Sequence, residues 1–552
     1  MGKAARRRRA EADPKPAAQR TFIERHPLLL LLIATAIALL PFLNKALTID
    51  DPLFVWVAQQ ITTHPLDPYG FDLNWGGKTD HMVDVVQNPP LTSYVLAFAS
   101  AVGGWSEGFL HFVFIFFAFA ALAGTWSLAQ RLGAPPLFAA LLTLAMPVFL
   151  LSSTNLMSDV AMTASFVWAL TLWIRGVDER RDALLWLAMA AAAMAGLFKY
   201  FGIAVIPLMI VYAAMKWRGG FRWIVPLALP VAAFTVYEVA TKARYGHGHI
   251  LGAAHYASLT STSLGVGLLA KTAQLLSFTG GCAIAILFFA PLLARRRWYV
   301  AVAVAVVAIA FVFLSGAPST LKLTPAIEVQ FVIFAVAGLG IFTLAGADVV
   351  KHRDAASVLL ALWVLGTAVF AAFLNWTING RSLLPLAPAV AILIARHAVG
   401  SRAALVAATA ASAVIALLVT VSDFKFANAQ REASQIILQH YTGDGHTVWF
   451  EGHWGFQYYM VQIGGVPFDI ERSTLHGMDL YISPKTNTAL IPRTALPPHR
   501  VVETIAIPIG VPVSTIGSRA RAGFYSDFMG PVPYAFGPAP DEIFEVLRLG
   551  RS

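Results

Sequence analysis

Thirteen apolar stretches, 15 to 23 residues long against the ~20 that a spanning helix requires, constrain this chain more than any other feature. They lie near 27–46, 108–130, 134–152, 158–175, 183–200, 202–216, 222–242, 274–294, 298–316, 326–347, 356–375, 383–397 and 402–422. Hydrophobic residues reach 57% and charged residues only 13%, about half the usual quarter of a soluble chain. A soluble fold with that balance lacks the polar side chains to cover itself. The spacing predicts a polytopic α-helical membrane protein of about 13 spans, with membrane lipids as its surroundings.

Orientation follows from the basic residues. Residues 1–26 hold eight Lys/Arg, including Arg6 to Arg9, against three acids. Such a run can grip nucleic acid, but beside a span it reads as a cytoplasmic tail, and no nucleic-acid partner is expected. No small-residue cleavage site follows 27–46, so the stretch is a span rather than a signal peptide. A fourteenth stretch, 89–104, opens with Pro89-Pro90 and ends in Gly103-Gly104. If it lies in the interface, the connections carrying Arg131, Arg175, Lys216, Arg295 to Arg297, Lys351 and Arg396 all fall on the side of the basic tail. Residues 27–424 then place fourteen Lys/Arg inside and eight outside, as the positive-inside rule demands.

The acids are biased the other way. Eleven of sixteen Asp/Glu in 27–424 fall outside, and six crowd the first outer loop, 47–107: Asp50, Asp51, Asp67, Asp72, Asp80 and Asp84. Acids contribute little to topology, so chemistry is the leading explanation for this cluster. After about 424 the composition changes: residues 425–552 carry 21 charges and no span. The β-branched runs Thr447–Phe450, Leu480–Ile482 and Val501–Ile507 predict a small α/β domain. Span parity places it on the extracytoplasmic side of the membrane.

Several residues stand out as candidates for chemistry. Asp50-Asp51 open a stretch suited to a helix lying in the interface; a capping pair at that helix N-terminus is the plainer alternative. A carboxylate near hydrocarbon can also serve as a general base. Asp159 lies at the outer mouth of a span, where acids are costly and point to function, though it too can cap. Lys199 either snorkels to headgroups or supplies a point charge for a lipid-linked phosphate. The fork of Arg381 suits phosphate as well. Asp80, His81 and Asp84 form a weak candidate divalent-metal site, with a solvated loop as the competing reading. Cys282, the one cysteine, excludes an intrachain disulfide and a cysteine metal cluster. No nucleotide-type phosphate loop is present, so a soluble nucleotide donor has no support.

Taken in order, these segments resemble the GT-C membrane glycosyltransferases, in particular the branch of protein O-mannosyltransferases and the bacterial lipid A aminoarabinose transferase. Thr48-Ile49-Asp50-Asp51-Pro52 looks like the family's Asp-Glu motif after the first span. Asn88-Pro89-Pro90-Leu91 resembles its Lys-Pro-Pro-Leu, Ser158-Asp159-Val160 its Thr-Asp-Ala, Gly196-Leu197-Phe198-Lys199 its Gly-Leu-Thr-Lys-Gly stretch, and Arg381-Ser382-Leu383-Leu384-Pro385 its Arg-Tyr-Leu-Leu-Pro. Glu451 to Tyr459 also looks like the periplasmic part of bacterial members. Asn88 stands where many members carry Lys, and Asp51 stands where they carry Glu.

The resemblance implies a GT-C domain over 27–424, a polyprenyl-phosphate-linked sugar donor, and a lipid, glycan or protein acceptor. It implies Asp50, Asp51 and Asp159 as catalytic residues and Lys199, Arg381 and Asn88 as substrate-binding ones, with a divalent metal ion as an optional cofactor. A secondary transporter and a non-catalytic scaffold for envelope glycan assembly are the alternatives. The first lacks midplane charges and inverted halves, and the second leaves the outer carboxylates unexplained. The topology is testable directly. A reporter fused at Arg296 is expected to read cytoplasmic and one fused after Asp444 periplasmic; both on one side would overturn the orientation.

Overall fold

A computed structural model describes residues 25–217, 220–261, 267–294, 298–441 and 446–550. The basic run in 1–24, Arg218, Arg295 to Arg297 and Asp444 lie outside the described residues. The chain is mostly helical. The helices used below are α1 (Pro27–Leu39), α2 (Asp51–Thr63), α3 (Leu91–Gly103), α4 (Glu107–Arg131), α5 (Pro136–Leu144), α6 (Pro147–Ser152), α7 (Ser158–Glu179), α8 (Asp182–Phe198) and α9 (Val205–Lys216). They continue as α10 (Ala228–Tyr245), α11 (His249–Ser261), α12 (Leu268–Cys282), α13 (Ala285–Ala294), α14 (Trp298–Leu314), α15 (Pro325–His352), α16 (Ala355–Val369), α17 (Leu386–His397) and α18 (Arg402–Tyr441).

Six helices are long and apolar enough to cross a membrane, or up to seven if the bent pair α12–α13 counts as one span. Each of the thirteen expected stretches is occupied by a helix or a broken pair, but several are short. Proline explains one break. The stretch 134–152 divides into α5 and α6 at Pro147, which has no N–H to donate and disfavours helix at the residue before it. The stretch 274–294 bends by 86° between α12 and α13. The segment 89–104 forms α3, 13 residues long, too short for the ~30 Å hydrocarbon core at 1.5 Å per residue.

Helix ends carry the expected local chemistry. Glu107 opens α4 and Arg131 closes it, matching the positive N-terminal and negative C-terminal ends of the helix dipole. The Asp354 side chain accepts from the Ser357 amide at 2.8 Å and caps α16. Where α12 and α15 cross, side chains give way to glycine. A Cβ at Gly280 would overlap the Phe334 carbonyl, and one at Gly338 would overlap that of Leu276. Small residues let two spans approach to backbone contact.

Two features cross the boundary expected near 424. First, α18 is one unbroken helix of 40 residues, about 60 Å long, so the last span runs straight into the tail. Second, residues 513–536 turn back onto the membrane helices. Val513, Phe524, Tyr525 and Tyr534 belong to the same hydrophobic cluster as the spans, and the Phe524 carbonyl accepts the Gly380 amide at 2.7 Å.

The rest of the tail builds a five-stranded mixed sheet. Its strands are β3 (Val448–Phe450), β4 (Val466–Pro467), β5 (Leu480–Pro484), β6 (His499–Ile507) and β7 (Glu542–Leu549), in the order β4-β3-β5-β7-β6. The first hairpin, β1 (Asp72–Asn74) with β2 (Thr79–His81), lies in the loop after α2. The pairs β3–β4 and β3–β5 are parallel, and β7 runs antiparallel to β5 and β6. One face packs on the end of α18 through Phe450, Ile482 and Val546.

Candidate active site

The site is built on a charge that the sequence hides at the end of an apolar run. Lys45 follows α1 and is fully buried. Its ammonium pairs with Asp423 of α18 at 2.5 Å, donates to Thr154 Oγ1 at 3.1 Å, and contacts Asn155 Oδ1. Asp423, equally buried, also accepts from the Tyr525 hydroxyl at 2.8 Å and from Thr515 Oγ1 at 3.2 Å. Asn155 closes the network by donating to the Tyr525 hydroxyl at 3.1 Å. Four separate stretches (the α1 exit, the α6–α7 turn, α18 and the returning tail) therefore meet at one ion pair. Burying two charges is tolerable only when each is paired and its remaining hydrogen-bond capacity is used, and here it is.

The next turn parts the two adjacent acids. Ile49 adopts φ 49°, a left-handed conformation that costs a β-branched residue roughly 1–3 kcal/mol. Asp51 then points inward with no exposure. Its carboxylate accepts the Thr48 amide at 3.1 Å and the Leu156 amide at 2.9 Å. Burial pushes its pKa up to about 7, against the opposing pull of Lys45. Asp50, by contrast, keeps 28% of its side chain exposed. Asp51 thus ties the loop to the α6–α7 turn, while its neighbour faces the cleft.

Asp50 begins an alternating row of charges. Arg381 Nη2 pairs with Asp50 at 2.8 Å, and its Nη1 lies 3.9 Å from Asp159. Asp159 pairs with Lys199 at 2.6 Å. Each member is held by a different local device. Asp159 sits in the first turn of α7, and Lys199 caps the C-terminus of α8 with extended backbone. Arg381 lies in a single helical turn, Gly380–Leu383, whose Asn379 side chain accepts the Ser382 amide at 2.8 Å. A widened helical turn, Phe370–Leu374, ends the preceding span; such turns recur at functional sites. The guanidinium carbon stands 5.6 Å from the Tyr525 ring centroid, and Arg381 Nε is buried with no acceptor among the described residues.

The other expected residues lie elsewhere. Asn88 is half-buried in a loop pinned through its backbone: the Tyr69 hydroxyl donates to the Asn88 carbonyl at 2.8 Å, and His249 Nε2 meets the Val86 carbonyl at 2.6 Å. His249 Nδ1 is also 3.0 Å from the hydroxyl of Tyr200, the residue after Lys199. Among the described residues Asn88 makes no hydrogen bond or ion pair with the charge row. Asp80, His81 and Asp84 are not brought together as a metal site. His81 pairs with Asp72 at 2.5 Å across the β1–β2 hairpin, and Asp84 with His247 at 3.0 Å. Instead, among the described residues, Asp348, His352 and His397 converge with geometry that could hold an ion. Sequence reasoning missed Lys45, Asn155, Asp423 and Tyr525. The available signal was charge at the ends of apolar stretches, at Lys45 and Asp423, where buried ions demand partners.

Two outcomes follow from this geometry. Lys45→Met strands the Asp423 carboxylate in the core and is expected to destabilise the fold by about 3–5 kcal/mol. The double variant Lys45→Met/Asp423→Leu removes both charges and should recover much of that loss. Denaturant unfolding in detergent checks both, and a single-variant cost below about 1 kcal/mol would contradict the network. Asp51 makes stability pH-dependent. A carboxyl whose folded pKa is raised favours folding fully below its unfolded value near ~3.9, and that contribution is lost as pH rises through about 7. Wild-type protein should therefore lose thermal stability relative to Asp51→Asn between about pH 4 and 7; parallel curves would place Asp51 in a wetter setting.

Residues 87–240 match the family described as dolichyl-phosphate-mannose-protein mannosyltransferase. This segment contains Asn88, Asp159 and Lys199 but not Asp50 or Arg381. No curated protein sequence matches the chain. Among solved structures, the apo oligosaccharyltransferase of Archaeoglobus fulgidus aligns at 11% identity and TM-score 0.46, covering 83% of this chain and 66% of its own. ArnT from Cupriavidus metallidurans, bound to undecaprenyl phosphate, aligns at 15% identity and TM-score 0.42, covering 86% and 95%. The protein O-mannosyltransferase complex of S. cerevisiae, bound to its sugar donor, aligns at 14% identity and TM-score 0.32, covering 42% and 34%. The chain spans just under two thirds of the archaeal enzyme's length. In its ordered motifs, and in the family match over residues 87–240, this chain resembles the GT-C membrane glycosyltransferases of the protein O-mannosyltransferase branch.

Proposed function

We propose that the protein transfers a sugar from a polyprenyl-phosphate donor to a lipid, glycan or protein acceptor at the outer face of a bacterial inner membrane. In this reading 27–424 is the GT-C domain and 425–552 the periplasmic part. The observation that carries the proposal is the charge row: two carboxylates and two cations alternate along Asp50–Arg381–Asp159–Lys199. Its Arg381 Nε–H has no acceptor among the described residues. Buried donors without acceptors are rare, and a phosphate oxygen is a fitting partner for a guanidinium.

The reaction is an inverting displacement. The acceptor hydroxyl oxygen attacks the anomeric carbon, the bond from that carbon to the phosphate oxygen breaks, and the proton passes to Asp50. Phosphate is already an able leaving group, so charge stabilisation matters more than protonation. Arg381 and Lys199 supply it. Without donor, Asp50 occupies Arg381 and is poorly placed to take a proton. An arriving phosphate replaces Asp50 on the guanidinium and frees that carboxylate for the acceptor. Asp159 remains on Lys199 and keeps the ammonium aimed. Asp51, enclosed by backbone amides, contributes by fixing the turn that presents Asp50.

Transfer by protein reconstituted in lipid tests this reading. Asp50→Asn keeps size and removes the proton acceptor, so turnover should fall by about 10²–10⁴-fold with folding intact. Lys199→Met keeps the stem and removes the charge, and should weaken donor binding and slow transfer. Arg381→Lys should also lose activity, because a point charge cannot replace a bidentate fork. Wild-type kinetics in Lys199→Met would return that lysine to a headgroup-seeking role. Activity retained by Asp50→Asn but lost in Asp51→Asn with folding intact would move the base to the other acid.

A further inference from the structure

At the far end of α17, a second polar cluster takes no part in the proposed transfer. Arg381 lies just before this helix, and its 12 residues rise about 18 Å, which separates the cluster from the charge row. Its centre is Asp348 of α15, whose side chain has no exposure. The two carboxylate oxygens have divided roles. Oδ2 pairs with Arg396 Nη1 at 2.6 Å, and the same nitrogen lies 3.4 Å from Ser357 Oγ of α16. Oδ1 receives both His352 Nδ1, one turn further along α15, at 2.9 Å and His397 Nε2, at the end of α17, at 2.6 Å. The two imidazole rings stand 5.6 Å apart, tilted by 42°. The three donor atoms all lie within 4.8 Å of one another.

We propose that Asp348, His352 and His397 form a binding site for a divalent transition ion of the zinc type, which fastens α15 to α17. Two imidazole nitrogens and one carboxylate oxygen suit zinc, cobalt or nickel and are a poor set for magnesium or calcium. Two nitrogens aimed at a single oxygen bring three ligand atoms nearly to the spacing of a tetrahedral site. With metal–ligand bonds of about 2.0–2.2 Å, that spacing is about 3.3–3.6 Å, so each nitrogen–oxygen separation need open by roughly an ångström or less to admit the ion. His352 is the more exposed of the two imidazoles, so water can reach the site from its side and supply a fourth ligand. The surroundings meet the second requirement of a metal site: a ligating carboxylate is normally held by a further hydrogen bond. Arg396 and Ser357 supply that hold, and they extend the fastening to α16. The guanidinium lowers affinity for a dication, so the site is expected to bind more weakly than an all-cysteine or cysteine–histidine structural site. Since α17 continues from the turn that carries Arg381, the ion would steady the span behind the phosphate clamp without touching substrate.

The test is independent of sugar transfer. Full-length protein in lipid nanodiscs, stripped with chelator, is titrated with Co²⁺ while its visible d–d absorption is followed, and the bound Co²⁺ is then competed with Zn²⁺. One saturable equivalent with a tetrahedral-type band, displaced by Zn²⁺ and accompanied by a higher thermal midpoint, is expected, because an ion that binds only the folded state stabilises it. His352→Gln and His397→Gln should each lose the band and the midpoint rise. Their unchanged midpoint in chelator reports that the fold is kept; His352 is 31% exposed and the safer of the two. Failure of wild type to bind one equivalent would overturn the proposal and leave an ion-pair cluster. A band that survives in both variants would also overturn it, placing the metal on other histidines.

Discussion

The buried pair Lys45–Asp423 is the interaction on which the rest of the site depends. Its members are 378 residues apart in sequence, one just after α1 and the other on α18. A charge with no water around it tolerates no vacancy beside it, because an unpaired ion in a low-dielectric interior is far costlier than a lost methyl contact. The pair therefore fixes where the α1 exit, the α6–α7 turn, α18 and the returning tail must sit. Asn155 joins this pair, and four residues later Asp159 joins the charge row. Tyr525 belongs to both assemblies, through its hydroxyl on Asp423 and its ring beneath Arg381. The core network and the cleft are one polar structure with a dry half and a wetter half.

The two halves divide labour between neighbouring acids. Ile49 accepts a strained backbone so that consecutive aspartates point to different surroundings, one sealed by amides and one on the cleft. That separation keeps the two carboxylates in unlike environments, the usual way that one protein assigns unlike roles to like groups. The charge row is closed on itself in the absence of ligand, its formal charges summing to zero over two acids and two bases. A phosphate entering such a row does not simply add a contact. In the proposed reaction it would compete with Asp50 for Arg381, so that donor binding and release of the base would be the same event.

Much of this was legible in the sequence, and the reasons for the rest are physical. Apolar run length located the helices. The family resemblance singled out Asp50, Asp159, Lys199 and Arg381, which the structure brings into one row. What the sequence could not reveal was pairing across long separation. Nothing local to Lys45 names Asp423, and Tyr525 lies in a tail that composition sets apart from the spans. The run 134–152 reads as continuous until Pro147 is given its full weight, and the bend after Cys282 has no proline to announce it. His81 and Asp84 are spaced to share a helical face, yet His81 ends a strand and Asp84 follows in a single turn, so each takes a different partner. Conversely, Asp348, His352 and His397 come together only because α15 and α17 end side by side.

In the proposed reaction a lipid-linked phosphate takes Arg381 from Asp50. The most direct measurement is a structure of the protein in a lipid nanodisc with polyprenyl phosphate bound. The expected result is that the 2.8 Å Asp50–Arg381 contact opens, that phosphate oxygens lie within hydrogen-bond distance of Arg381 and Lys199, and that Asp159 stays on Lys199. A closed Asp50–Arg381 pair with the phosphate seated elsewhere would contradict it.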